Sequence, residues 1–348
     1  MAALHEHPTA VTSTYQSRWL GEPASEVTGS LADVVPLIPA FDRFPFGTNA
    51  RLDMIVRRAT TKGESPVPTG VVSKRYVLVQ HASVIAALEN ALRSADVDPL
   101  DLRCRLTLSE SGARMGIRVE LPERFAFSAP DRHPMALTFE CFNSVDRTVP
   151  LFALLGWFRF VCSNGLVVGT THASLRHDHR PPLRIDELEQ VLTEGLAAAA
   201  CDRERLTESM ASCVSADALR TWVDGPVADA WGTLAAARVH AIATTGLDGE
   251  PSRTPKGAPP HAREILHPKP VPGAEAPRTD GYGLAQALAW VAARRNEVAE
   301  RVAWRGEIPE LLAQLREHRE HTTGVLGAAE HREPRTSLYP LNGPRRWS

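Results

Sequence analysis

Arg159, the run Ser163-Asn164-Gly165 and the pair Arg176-His177 have the residue types and spacing that suit chemistry, and the chemistry is anion binding. Backbone N–H groups in a tight turn form a concavity for an anion, and arginine adds a planar fork of charge-assisted donors that matches phosphate. Asn143 and Ser144, in a polar turn just upstream, complete this candidate nucleic-acid or phosphate site. The competing reading is a hairpin turn that satisfies its own backbone beside solvated arginines. A secondary stripe, Trp290, Arg294, Arg301 and Arg305, would stack on and neutralise single-stranded nucleic acid if it faces solvent. If it faces inward, it packs one tryptophan on the core and pairs its arginines with Glu297 and Glu300.

His172, His177 and His179 raise a metal reading, because His-x-His on a strand sets both rings on one face. Against it, Pro181 and Pro182 follow directly and Asp178 is the only carboxylate beside them. No metal and no cofactor is therefore expected. Cys162, at the end of an apolar strand, reads as a small hydrophobe rather than a nucleophile. The chain has no glycine-rich phosphate loop, no Gly-x-Ser-x-Gly and no His-Glu-x-x-His, so the well-marked enzyme classes are absent. No catalytic residue is assigned, and a non-enzymatic role is favoured.

The whole chain exerts no pull on polyanions, since its formal net charge is −2. Any such site has to be a local patch. Four of the 39 basic residues are lysines, so 35 are arginines, a bias that either phosphate recognition or a GC-rich genome produces. The five cysteines are widely spaced without a Cys-x-x-Cys pair, which argues against a disulfide framework and fits a reducing cytoplasm. The first residues show no basic and apolar export pattern, and no apolar run reaches the roughly 20 residues of a membrane span. A cytoplasmic protein without a membrane partner is expected, and a homo-oligomer is left open.

The elements that must position the site are mostly strands. Residues 151–169 are the most apolar segment, interrupted by Cys162-Ser163-Asn164-Gly165, and Asn-Gly between apolar runs predicts a type I′ hairpin. Upstream, Val34–Ile38, Arg51–Val56, Val71–Gln80, Leu102–Ser109, Arg114–Leu121 and Met135–Asn143 read as strands. Val84, Ile85, Leu88, Ala91 and Leu92 recur at helical spacing. Downstream of Pro182 the pattern turns helical, ending in one long helix from about Gly283 to Ala303.

Strands followed by helices predict an α+β fold with a largely antiparallel sheet and a central Asn-Gly hairpin. The expected organisation is a flexible arm over 1–33, a core over 34–245, a linker over 246–280, a helical segment over 281–320 and a disordered tail over 321–348. The linker rests on eight prolines and four glycines in 35 positions.

Phe158-Arg159-Phe160-Val161-Cys162-Ser163-Asn164-Gly165-Leu166-Val167 resembles the arginine, cysteine and Ser/Thr-Asn-Gly segment of a phage and plasmid family, domain of unknown function 932. Asn143-Ser144-Val145-Asp146, Leu175-Arg176-His177 and Tyr282 to Arg295 are similar to further stretches of it, so the resemblance spans roughly residues 34–318. Gln286-Ala287 departs from an expected Asn-Ala. The resemblance implies mobile-element biology and no defined activity.

Together these readings favour a protein that binds nucleic acid, with single-stranded DNA as the favoured form, in recombination or replication. The alternatives are a metal- or phosphate-dependent hydrolase using His172, His177 and His179, and an interaction protein that inhibits a host defence factor.

Overall fold

The computed structural model describes residues 11–61, 63–99, 102–128, 134–159, 164–166, 174–196, 199, 213–274 and 276–324. Its centre is an antiparallel sheet built from β1 (Val11–Trp19), β2 (Glu22–Ser30), β6 (Arg103–Ser109), β7 (Arg114–Glu120), β9 (Pro134–Ser144) and β10 (Leu151–Arg159), hydrogen-bonded in that order. The short strands β11 (Asn164–Leu166) and β12 (Ser174–His177) both pair with the free edge of β10, and β8 (Phe127–Ser128) pairs with β9. A separate three-stranded sheet holds β3 (Phe41–Phe46), β4 (Asn49–Arg57) and β5 (Val67–Ser73).

Alternation assigns the two faces of the main sheet. Leu106, Ile117 and Cys141 align in one row, and Val119 with Phe139 in the next, all buried. They join one core with Val84, Ile85, Leu88, Ala91 and Leu92 of α2 (His81–Ser94), whose apolar residues recur at the spacing that paints one helix face. The opposite face carries Glu26, Arg105, Thr107, Gly116, Arg118, Glu140 and Phe142, again in register. Gly116 is required there, because a Cβ would stand 2.9 Å from the Phe142 ring.

Helices follow. Residues 187–196 are helical, and α3 (Ala216–Trp222) leads through a π-helical turn at Val223–Val227 into α4 (Ala228–Trp231) and α5 (Thr233–Thr245). Then come α6 (Gly281–Ala293), N-capped by the Asp280 carboxylate accepting from Gly283 N at 2.8 Å, and α7 (Val298–Gly324). α6 is buried along nearly its whole length and belongs to the main core. No described helix is long and apolar enough to cross a membrane.

The fold is α+β, as expected, but several boundaries differ. Residues 11–30, expected within a flexible arm, form the β1–β2 hairpin at the edge of the main sheet, and β2 pairs with β6 from Ala24↔Ser109 to Ser30↔Arg103. The expected strand over Val34–Ile38 is instead α1 (Leu31–Val34) followed by a 3-10 turn. Ser30 and Asp33 close a capping box there, with Ser30 Oγ accepting from Asp33 N. The expected strand over Val71–Gln80 ends at Ser73.

The expected linker contains a second hairpin, β13 (Leu247–Pro251) with β14 (Ile265–Pro270). Prolines fit it because a two-stranded ribbon leaves N–H positions facing no partner. Asp248 fixes this hairpin to two helices: it accepts from Arg238 Nε and Nη2, each at 2.7 Å, and from Trp290 Nε1 at 2.7 Å. The single helix expected over 283–303 breaks between Ala293 and Val298. Of the expected tail, residues 321–324 finish α7, and the rest lies outside the described residues.

Candidate functional site

The register of β10 separates the residues expected to converge. Arg159 pairs with Asn164 and Phe158 with Gly165, so Asn164 and Gly165 lie in the returning strand and are not the two central turn residues. Residues 160–163, Cys162 and Ser163 among them, lie outside the described residues. Arg176 pairs with Phe152, at the other end of β10. Seven residues separate the two arginine positions, about 23 Å at about 3.3 Å per residue. A single anion cannot lie against both.

Asn143 and Ser144 are fully buried. Asn143 Nδ2 donates to Val79 O and to His81 Nδ1, each at 2.9 Å, while His81 Nε2 donates to Gly112 O at 3.0 Å. His81 is thus held as one neutral tautomer, and burial lowers its pKa to about 4. Ser144 Oγ donates to Val149 O at 2.7 Å and accepts from Val149 N at 3.0 Å, closing the 144–149 loop. Both side chains serve the fold and present no atom to a surface ligand.

That loop builds a site which the sequence reading did not anticipate. Asp146 accepts from Thr148 N and Oγ1 at 3.0 and 2.5 Å and from Arg114 Nε at 3.0 Å, so the loop is tied to β7. Between these anchors Arg147 takes a left-handed conformation (φ 71°), and its side chain is exposed. Opposite, Tyr76 is buried, donates its hydroxyl to Ser144 O at 2.9 Å and stacks on His179 with ring centroids 5.0 Å apart. Val77 N donates to His179 O at 3.0 Å, and His179 Nδ1 lies 3.2 Å from Val77 O. Burial lowers the His179 pKa, so the ring is neutral near pH 7.

Two adjoining hollows open over this stacked pair. The smaller, about 130 Å³, is lined by Tyr76, Arg147, Arg176, Asp178, His179 and Arg180 among others. The larger, about 380 Å³, shares Tyr76, Arg147, His179 and Arg180 and adds Ser73 and Arg75. Arg75, Arg147, Arg176 and Arg180 are all exposed, and none has an acidic partner among the described residues. Among the described residues, Asp178 is the one carboxylate on the lining. Four exposed forks around two adjoining hollows make a surface suited to phosphate oxygens.

Of the expected ligands, Arg176 lines the smaller hollow. His177, two positions before His179, is half-buried and bonded through Nε2 to Glu187 at 2.5 Å. His172 lies outside the described residues, and among those described no three histidine, cysteine or acidic side chains sit close enough to hold a metal. The secondary stripe divides at the helix break. Trp290 is buried and bonded to Asp248, with the Arg294 guanidinium over its ring. Arg301 and Arg305 turn towards the sheet, onto Glu26 and Glu140. The stripe is therefore no continuous surface track.

Sequence reading missed Arg75, Arg147 and Arg180. The usable signal was local: Arg147 ends the same Asn-Ser-Val-Asp-Arg turn, and Arg180 follows His179 before the prolines. Residues 68–226 match the family model described as Domain of unknown function (DUF932). This segment belongs to DUF932. All four arginines of the hollows fall inside the DUF932 segment, whereas β1 to β4, α6 and α7 fall outside it. No curated protein and no solved structure matches the chain.

Proposed function

We propose that the chain is a non-enzymatic protein that binds nucleic acid through its phosphates, with single-stranded DNA as the favoured form, at the hollows rimmed by Arg75, Arg147, Arg176 and Arg180. The observation that carries this reading is the set of four exposed guanidiniums around two adjoining hollows, with no acidic partner among the described residues. On a chain of net charge −2 such a patch is local, and local positive charge is what drives association with a polyanion. Its place in recombination or replication of a mobile element follows from the resemblance of the Arg159–Gly165 segment to phage and plasmid proteins.

Single strands are favoured by the neighbouring small sheet. In its register Phe44 pairs with Met54, Met54 with Val71 and Leu52 with Ser73, so these side chains share one face. Phe44 is 46% exposed and Val71 40%, and Ser73 at the edge of that face lines the larger hollow. Exposed aromatics beside a cationic groove are the arrangement on which unpaired bases stack.

The test compares single- and double-stranded DNA binding by the parent and by Arg147→Ala at two salt concentrations. Binding to single strands that weakens in the variant, for all sequences alike, supports the reading, because phosphate contacts position a ligand without reading bases. A parent that binds neither form at low salt refutes it and advances the interaction-protein reading.

A further inference from the structure

A second arginine cluster lies away from these hollows, under the first turns of α7. Arg301 and Arg305 descend from that helix onto the polar face of the main sheet, where Arg105, Thr107, Arg118, Glu26 and Glu140 stand in register. The Glu140 carboxylate accepts from Arg305 Nη1 at 2.6 Å and is also paired with Arg118. Glu26 accepts from Ser17 Oγ at 2.9 Å and from Arg301 Nη1 at 3.2 Å, with Arg105 at 3.9 Å.

Among the described residues, four guanidiniums thus face two carboxylates, with Glu120 the next acid along the same face. Burial opposes charging of Glu140, yet Arg118 and Arg305 hold its pKa down at about 2, so it is ionised. Burial and the like charges of Arg118 and Arg301 push Arg305 down to about 10, still cationic at neutral pH. An excess of buried positive charge is costly unless an anion answers it.

The cluster encloses a cleft of about 50 Å³, against the roughly 10–15 Å³ that one water needs. Arg301 Nε and Nη2 and Arg305 Nε are buried with no hydrogen-bond partner among the described residues, and the Arg305 side chain is only 9% exposed. Arg105 is the most exposed of the four guanidiniums, at 41%, so the cleft opens beside it.

We propose that this cleft is a binding site for a tetrahedral oxyanion, phosphate or sulfate, held by Arg301 and Arg305 with Arg105 at its mouth. The anion takes the unpaired N–H donors, balances the surplus charge and fastens α7 to the sheet. Ligand binding to the native state alone raises the unfolding temperature.

The experiment follows thermal unfolding and calorimetric binding of the full chain with inorganic phosphate, sulfate or chloride at equal ionic strength. Phosphate or sulfate should stabilise the parent saturably where chloride does not. Arg105→Gln, at the rim, should keep the fold and weaken the anion at least about tenfold, the loss of one charge-assisted hydrogen bond. Arg301→Gln should abolish the effect, and Arg147→Ala should leave it intact. The proposal is overturned if phosphate acts no better than chloride, or if the effect survives Arg105→Gln and disappears in Arg147→Ala, which would move the anion to the surface hollows. DNA binding is read separately, so either site can fail alone.

Discussion

Arg147, Arg176 and Arg180 stand around an open hollow with no carboxylate partner among the described residues, whereas Arg118 of the sheet and Arg301 and Arg305 of α7 lie between sheet and helix, where Glu26 and Glu140 face them. One side chain does two jobs, and burial with pairing divides them. Exposed arginines keep their hydration and their freedom, cost the fold little, and remain available to a ligand. Buried ones have lost water, and their charge is tolerable only while the partner carboxylates stay.

The sharpest way to break this contrast is to remove a partner. Glu140→Gln should cost about 3–5 kcal/mol in urea unfolding, because it leaves Arg118 and Arg305 buried without their counter-charge. Arg147→Ala should stay within about 0.5 kcal/mol of the parent. Equal losses in the two variants would mean that the clusters do not differ as described.

Acid gives the next largest effect, in two windows. The native pKa of His81 is lowered from 6.5 to about 4, so between those values the unfolded chain binds more protons and stability falls as the pH drops. The full loss is on the order of 3 kcal/mol. Glu140, lowered from 4.5 to about 2, adds a further loss only below 4.5. Unfolding free energy that stays flat from pH 7 to pH 4.5 would contradict the buried neutral His81 that Asn143 holds.

A smaller change sharpens the site assignment. Asn143→Ala should cost about 1–3 kcal/mol of stability through the partners it leaves unsatisfied, with DNA affinity unchanged for the folded fraction. Phe44→Ala, on the exposed face of the small sheet, should weaken single-strand binding by about 1–3 kcal/mol and leave stability alone. If these two variants exchange behaviour, the site lies where the Asn-Ser turn was first expected.

What was legible in the sequence was what local pattern dictates. Helix α2 and strands β4, β6, β7, β9 and β10 were readable because alternation or helical spacing of Val, Ile and Leu reports a buried face directly. The β1–β2 hairpin was not, since Thr, Ser and Glu dominate it and its order comes from pairing with β6. The Pro-rich β13–β14 hairpin escaped for a related reason: Asp248 with Arg238 and Trp290 holds it, and such bonds leave no periodic trace. Arg105, Arg118 and Glu140 read as the solvent side of alternating strands until α7 covers them.

Of the expected site residues, the two arginines lie towards opposite ends of β10. Arg176 lines the smaller of the hollows for which anion binding is proposed. Its partners are set by strand pairing across the sheet, which places Arg159 about 23 Å away along β10.

Salt dependence of single-stranded DNA binding by the parent and by the Arg147→Ala, Arg176→Ala double variant tests the central account most directly. The parent should bind at low salt, and the variant should bind more weakly to all sequences. Its logarithmic salt slope should be flatter by about 0.7 for each phosphate that the variant no longer neutralises. A folded double variant that binds with the parent's affinity and slope, or a parent that does not bind at low salt, would contradict it.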